Sequence, residues 1–143
     1  MGNYKNILEG IESVLKAEAV NLAIPEENIA IGELGDEMPK MRPYLYIYAL
    51  PASNPIFENA RVISPKLTIN IFLAVEANSR IEALDLNFIT AGKILNKLIN
   101  KVFTGVNMTG LIPLQDSNYY EFLDASSSHS EAGIFLETTT KMV

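Results

Sequence analysis

Residues 65–77, PKLTINIFLAVEA, alternate strictly: Leu67, Ile69, Ile71, Leu73 and Val75 point one way, and Lys66, Thr68, Asn70 and Glu76 the other, with Phe72 and Ala74 among them. A period of two is a β-strand signal, and its wholly apolar side must be buried against something. The period then changes. From 77 to 102, ANSRIEALDLNFITAGKILNKLINKV sets Ile81, Leu84, Phe88, Ala91, Leu95, Leu98 and Val102 at alternating steps of three and four. A strand followed at once by a helix, each with an apolar side, predicts a helix folded back onto the strand's own sheet.

The same spacing is a heptad over three repeats, the pattern of a coiled-coil seam. Its flanks argue against a zipper. Ile94 and Ile99 widen the stripe, and Gly92 beside it permits close approach to a flat surface. The expectation is that the seam is core. Leu86 and Ile89 lie off it, three apart, on the outer side, where they are either scattered exposed residues or a subunit contact. Ser79 and Glu82 form a capping box at the helix start, Lys93, Lys97 and Lys101 suit its C-terminal dipole, and Gly105 supplies a stop.

Two segments precede this unit. In 4–20, Tyr4, Ile7, Leu8, Ile11, Val14 and Leu15 make one stripe of an amphipathic helix; Gly10 weakens it by about 1 kcal/mol against Ala, which predicts close packing at that point. A short strand at Ile29–Ile31 follows, then YLYIYAL (44–50), with Tyr44, Tyr46 and Tyr48 on one face and Leu45, Ile47 and Ala49 on the other. Both faces carry bulk, which predicts a central strand covered on both sides, the tyrosines packed under a helix. PASNPIFENARVIS (51–64) has the prolines and asparagines of a long hairpin tip. In it Ile56 and Phe57, with Arg61 close behind, either fold back over the core or meet a partner. After the long helix, 110–125 and 134–143 read as an antiparallel pair joined by the polar SSSHSEAG. The whole of 1–143 is thus expected to be one α+β domain: a mostly antiparallel sheet with two helices packed on it, in the order α-β-(β)-β-α-β-β.

Composition enters through what it excludes. With no cysteine, thiol catalysis, thiolate zinc sites and disulfides are out. Seventeen acidic against eleven basic residues give a net charge of −6, with no Lys/Arg cluster to replace phosphate counterions, so no nucleic-acid partner is expected. No run of about 18 apolar residues exists for a membrane span, and the first residues lack the pattern of a signal peptide. The single histidine, His129, stands in a polar stretch without a G-x-S-x-G elbow, and is read as a solvated loop residue. The acidic pairs Glu26/Glu27 and Asp36/Glu37 lack metal-ligand spacing, and no Walker or G-x-G-x-x-G loop is present. The expectation is no catalytic, metal or cofactor residue. The tyrosine face of 44–48 is the one platform on which a small ligand or peptide could stack.

The order of ILEGIESVLKA, PYLYIYAL, a long hairpin into PKLTINIFLAV, the helix RIEALDLNFITAGKILNKL and a closing hairpin ending GIFLETTTKMV resembles small structural proteins of tailed bacteriophages. The resemblance is to the tail-terminator or tail-completion type, including the minor tail proteins of Mu-like prophages. It covers nearly the whole chain as a pattern of elements, with no catalytic residue to carry over. It implies a non-enzymatic virion component assembled in the bacterial host cytoplasm. It further implies a homo-oligomer, commonly a ring of six, that meets tail-tube or head-connector proteins. Ile56, Phe57, Arg61, Leu86 and Ile89 are the candidate contacts. The acidic loop 33–37 and the serines 126–128 match nothing in that pattern.

Overall fold

A computed structural model describes residues 3–32, 41–49, 53–58, 62–115, 118–125 and 128–140; for 3, 49, 53–58 and 62–65 it describes the backbone alone. The chain is α+β, built on one mixed sheet. Helix α1 (Asn3–Ala17) leads through a short α2 (Ala19–Leu22) to strand β1 (Ile29–Gly32), followed by β2 (Tyr44–Ala49), β3 (Ser53–Glu58) and the long β4 (Val62–Glu76). Helix α3 (Arg80–Leu98) comes next, then β5 (Ile112–Pro113), β6 (Tyr120–Ala125) and β7 (His129–Thr139).

The sheet runs β1-β2-β4-β7-β5, with β3 beside β4 and β6 beside β7. Lys66 pairs with Ser53 on one side and Thr139 on the other, so β3 lies in line with β2. By the same logic β6 lies in line with β5, because Ile134 pairs with both Ile71 and Tyr120. Only β1 and β2 are parallel. Among the described residues β7 reaches back along β4 no further than Lys66, so there the outer ends of β3 and β4 form a two-stranded arm beyond the sheet. Ile56 and Phe57 stand in that arm's paired strand, opposite Ser64 and Ile63, rather than in its turn.

The alternation read in the sequence sets the core. Leu67, Ile69, Ile71, Leu73 and Val75 are all buried, meeting Leu45 and Ile47 of β2, Ile134 and Leu136 of β7, and Ile7, Ile11 and Leu15 of α1. Gly10 behaves as expected: a Cβ there would lie 2.7 Å from the ring of Phe103, which packs flat on the helix backbone. Ser79 caps α3, its Oγ accepting from the Glu82 N–H at 3.2 Å.

Three expectations about boundaries fail, each for a local reason. The helix ends at Leu98, not near Gly105, because Asn100 takes the left-handed conformation at φ 64° and its N–H donates to Leu111 O at 2.7 Å. The last strand begins at His129, inside the stretch expected to be a polar loop, because residues 129–133 pair with β4 and 130–133 with β6 as well. And the tyrosines lie under no described helix, because α1 and α3 both pack on the opposite, Leu45 and Ile71 side of the sheet.

Candidate interaction site

Helix α3 rests on the sheet as expected, yet not through the heptad. The side chains it buries are Ala83, Asn87, Thr90, Ala91, Ile94 and Leu98. Of the expected seam only Ala91 and Leu98 are in this set; Ile81 is 77 % exposed, Phe88 64 %, and Val102 also faces out. The correction has a physical cause. Small residues in the first half let the helix backbone approach the sheet closely, and Asn87 finds all its partners there. Its Nδ2 donates to Leu73 O (3.4 Å) and Ser130 O (3.3 Å), and its Oδ1 accepts from the Tyr120 hydroxyl at 2.6 Å. A buried amide so satisfied loses little by leaving water. Lys93 Nζ, which donates to Asn21 O (3.0 Å), and Lys97, paired with Glu18 (3.6 Å), fix the same rotation from the other flank.

With that face down, Ile81, Phe88, Gly92 and Ile99 line the exposed side of the helix, Leu84 and Leu95 half-buried beside them. Gly92 was expected against a flat surface; a Cβ there would meet nothing within 4 Å. Towards the sheet edge the stripe continues into β6. Phe88 meets Tyr120 edge-on at 6.0 Å, and Tyr120 meets Phe122 at 5.1 Å, with Phe122 half exposed. Leu86 and Ile89, the expected outer residues, are 37 % and 47 % exposed. They are outer but not dominant, since Ile81 and Phe88 project further. Ile56 and Phe57 are placed only by their backbone, and Arg61 lies outside the described residues.

The second face of the sheet is aromatic. Tyr44 stacks on Phe72 (6.1 Å, 9° between planes), Tyr46 tilts against Tyr44 at 5.9 Å, and Tyr48 meets Tyr46 edge-on at 6.0 Å. Rings this close gain from one another whatever else covers them. They also have work within the sheet: the Tyr48 ring lies across Gly32, where a Cβ would come within 2.8 Å of it, and Phe135 covers Gly133 in the same manner. Burial, reinforced by the Glu131 carboxylate and opposed by Arg42, pushes the Tyr44 hydroxyl above the usual tyrosine range. On the helix-covered side of the sheet, a groove of about 530 Å³ runs between α1 and β1, lined by Tyr4, Leu8 and Ile31. At its edge the Ile31 N–H donates to the Glu12 carboxylate at 3.2 Å, so the free edge of β1 is partly capped.

Ionisable groups gather in two places. At one end of the aromatic face, the ligand atoms of Asp124, His129 and Glu131 all lie within 4.8 Å of one another. His129 Nε2 is 3.6 Å from Asp124, and Arg42 pairs with Glu131 at 3.5 Å, so a guanidinium already offsets part of the acidic charge. Sequence spacing hid this cluster: the bulge between Phe122 and Asp124 is what turns Asp124 towards Glu131. At the other end Glu137 is buried; its Oε1 accepts from the Gln115 N–H (2.9 Å). Its Oε2 makes no well-angled hydrogen bond but lies 2.5 Å from Lys66 Nζ, and that ion pair satisfies it. The pair joins β4 to β7, and the Gln115 N–H bond to Glu137 ties the end of the 107–115 segment to the sheet.

No protein-family model matches the chain, and no curated protein matches it significantly. No described helix is long and apolar enough to cross a membrane.

Proposed function

We propose that this chain is a non-enzymatic structural subunit of a tailed bacteriophage or prophage, a ring-forming tail terminator or head–tail joining protein. The observation that carries the assembly part of this reading is the uncovered apolar stripe of α3, contiguous with Tyr120 and Phe122 of the edge strand β6. Apolar side chains projecting this far lower solubility unless another surface covers them. The projecting β3–β4 arm gives a second, different surface, and head-to-tail rings need two unlike surfaces per subunit. The phage part rests on the element order, in which the helix, long hairpin, helix and closing hairpin are all present. Light scattering coupled to size exclusion tests it: a discrete species near six times 15.8 kDa is expected, alone or with purified tail-tube protein. A monomer under both conditions would refute the ring.

A second reading has its own support. The Tyr44/Tyr46/Tyr48 face is free of any described helix, and Asn70 Oδ1 lies near it with no hydrogen-bond partner. A half-buried aromatic layer at Tyr46 and Tyr48 suits stacking by a small peptide or planar ligand, and a ligand that parted these rings would reach the buried Asn70 Oδ1. Tyrosine fluorescence titrated with a stacking ligand library, on wild type and Tyr46→Ala, separates the readings: a hit that Tyr46→Ala abolishes favours binding.

A further inference from the structure

We propose that α3 pairs antiparallel with the α3 of a second copy of this chain, about a two-fold axis passing between Phe88 and Gly92. The exposed stripe is self-complementary under that operation. Phe88, the largest projecting side chain on the helix, stands one turn from Gly92, where a side chain would meet only open space. Turning one helix against its twin seats each Phe88 ring over the other's Gly92, a knob entering a hole. The same operation brings Ile81 against the partner's Ile99, both exposed, and closes the two ends of the stripe. An isologous contact requires such reciprocity, with one residue meeting a second and the second meeting the first.

Dipole and area point the same way. Antiparallel pairing opposes the two helix dipoles, which a parallel pair would align. Lys93 and Lys97 take no part in it, since they hold Asn21 O and Glu18 of their own chain. The exposed parts of Ile81, Phe88, Ile99 and Phe122 come to roughly 400 Å² per chain, about half of what each partner in a standard interface buries. The rest falls to the half-buried Leu84 and Leu95 and a polar rim. The heptad spacing visible in the sequence is then divided: Ile81 and Phe88 serve this contact, and Ala91 and Leu98 the core.

This contact covers the same stripe that the proposed ring would use as one of its two surfaces, so the two compete for it, and it needs only a second copy. Because the chain has no cysteine, engineered thiols report on it cleanly. Ile81 and Ile99 are about 27 Å apart along one helix at 1.5 Å per residue, so a disulfide between them cannot form within a chain. Three variants, Ile81→Cys, Ile99→Cys and the double, are oxidised mildly and run without reductant. The double variant is expected to give a covalent dimer and each single variant none. Dimer from Ile81→Cys alone would mean parallel pairing and overturn the proposal, as would a double variant that stays monomeric. Gly92→Leu fills the hole: it should weaken dimerisation at least tenfold by sedimentation, with an unchanged circular dichroism spectrum. An unchanged dimerisation constant overturns the proposal too. A six-subunit species without the 81–99 cross-link would sink this inference and leave the ring standing; a covalent dimer with no larger species would do the reverse.

Discussion

Removing the Tyr120 hydroxyl should cost more than a partly exposed tyrosine ordinarily would, and only while Asn87 is present. Tyr120→Phe deletes the donor to Asn87 Oδ1, a 2.6 Å bond at a residue that is 0 % exposed. The orphaned acceptor cannot reach water, and a buried polar atom left unpaired costs about 1–3 kcal/mol. Asn87→Ala removes the acceptor instead. The Tyr120 hydroxyl then turns to water at the sheet edge. That variant's cost, roughly 2–3 kcal/mol, comes from the cavity and from the two long bonds to Leu73 O and Ser130 O. Once Asn87 is gone, Tyr120→Phe should be nearly free. The expected cycle is therefore strongly non-additive: about 2 kcal/mol for Tyr120→Phe alone, under about 0.5 kcal/mol in the Asn87→Ala background. Urea denaturation of the four proteins, at concentrations where light scattering finds monomer, measures it. For a chain of this length 2 kcal/mol is a loss of roughly 8 °C in Tm. Equal costs of Tyr120→Phe in both backgrounds would refute the claim that Asn87 orients α3 through this network.

Glycine-to-alanine changes should have opposite signs at two helical positions. Gly10→Ala is expected to destabilise by about 1–2 kcal/mol despite alanine's helix propensity, because its Cβ would lie 2.7 Å from the Phe103 ring, whereas Gly92→Ala, in open space, should stabilise the monomer by about 0.5–1 kcal/mol in urea titrations. Alkaline pH should unfold the chain through Tyr44 and Tyr120, whose hydroxyls are both pushed up, chiefly by burial. Stability held by a raised pKa is complete below the unfolded tyrosine value near 10 and is lost as pH rises towards the folded one, so the urea midpoint should fall above about pH 10, with a shallower slope in Tyr120→Phe. Phe57→Asp should stay folded by circular dichroism yet fail to form the large species by light scattering; normal assembly would remove the β3–β4 arm from the interface.

The local code was largely legible. Strict alternation in 65–77 named the buried side of β4, because neighbouring side chains on a strand must point to opposite faces. Ser79 and Glu82 marked the start of α3, because a cap acts within a turn of itself, and Gly10 marked a close contact on α1 without naming Phe103, its distant partner. Tertiary structure decided everything that depends on what an element meets. Apolar spacing showed that α3 has a greasy arc, but the arc spans about half the helix and the sheet can cover only part of it. Which part was settled by Asn87, a polar residue that reads as solvent-facing until Leu73 O, Ser130 O and Tyr120 come within its reach from three strands. The same holds for Asp124, His129 and Glu131, which a bulge and a hairpin register bring together. Periodicity along a chain records which side of an element avoids water; only packing determines whether its own sheet or another molecule provides the cover.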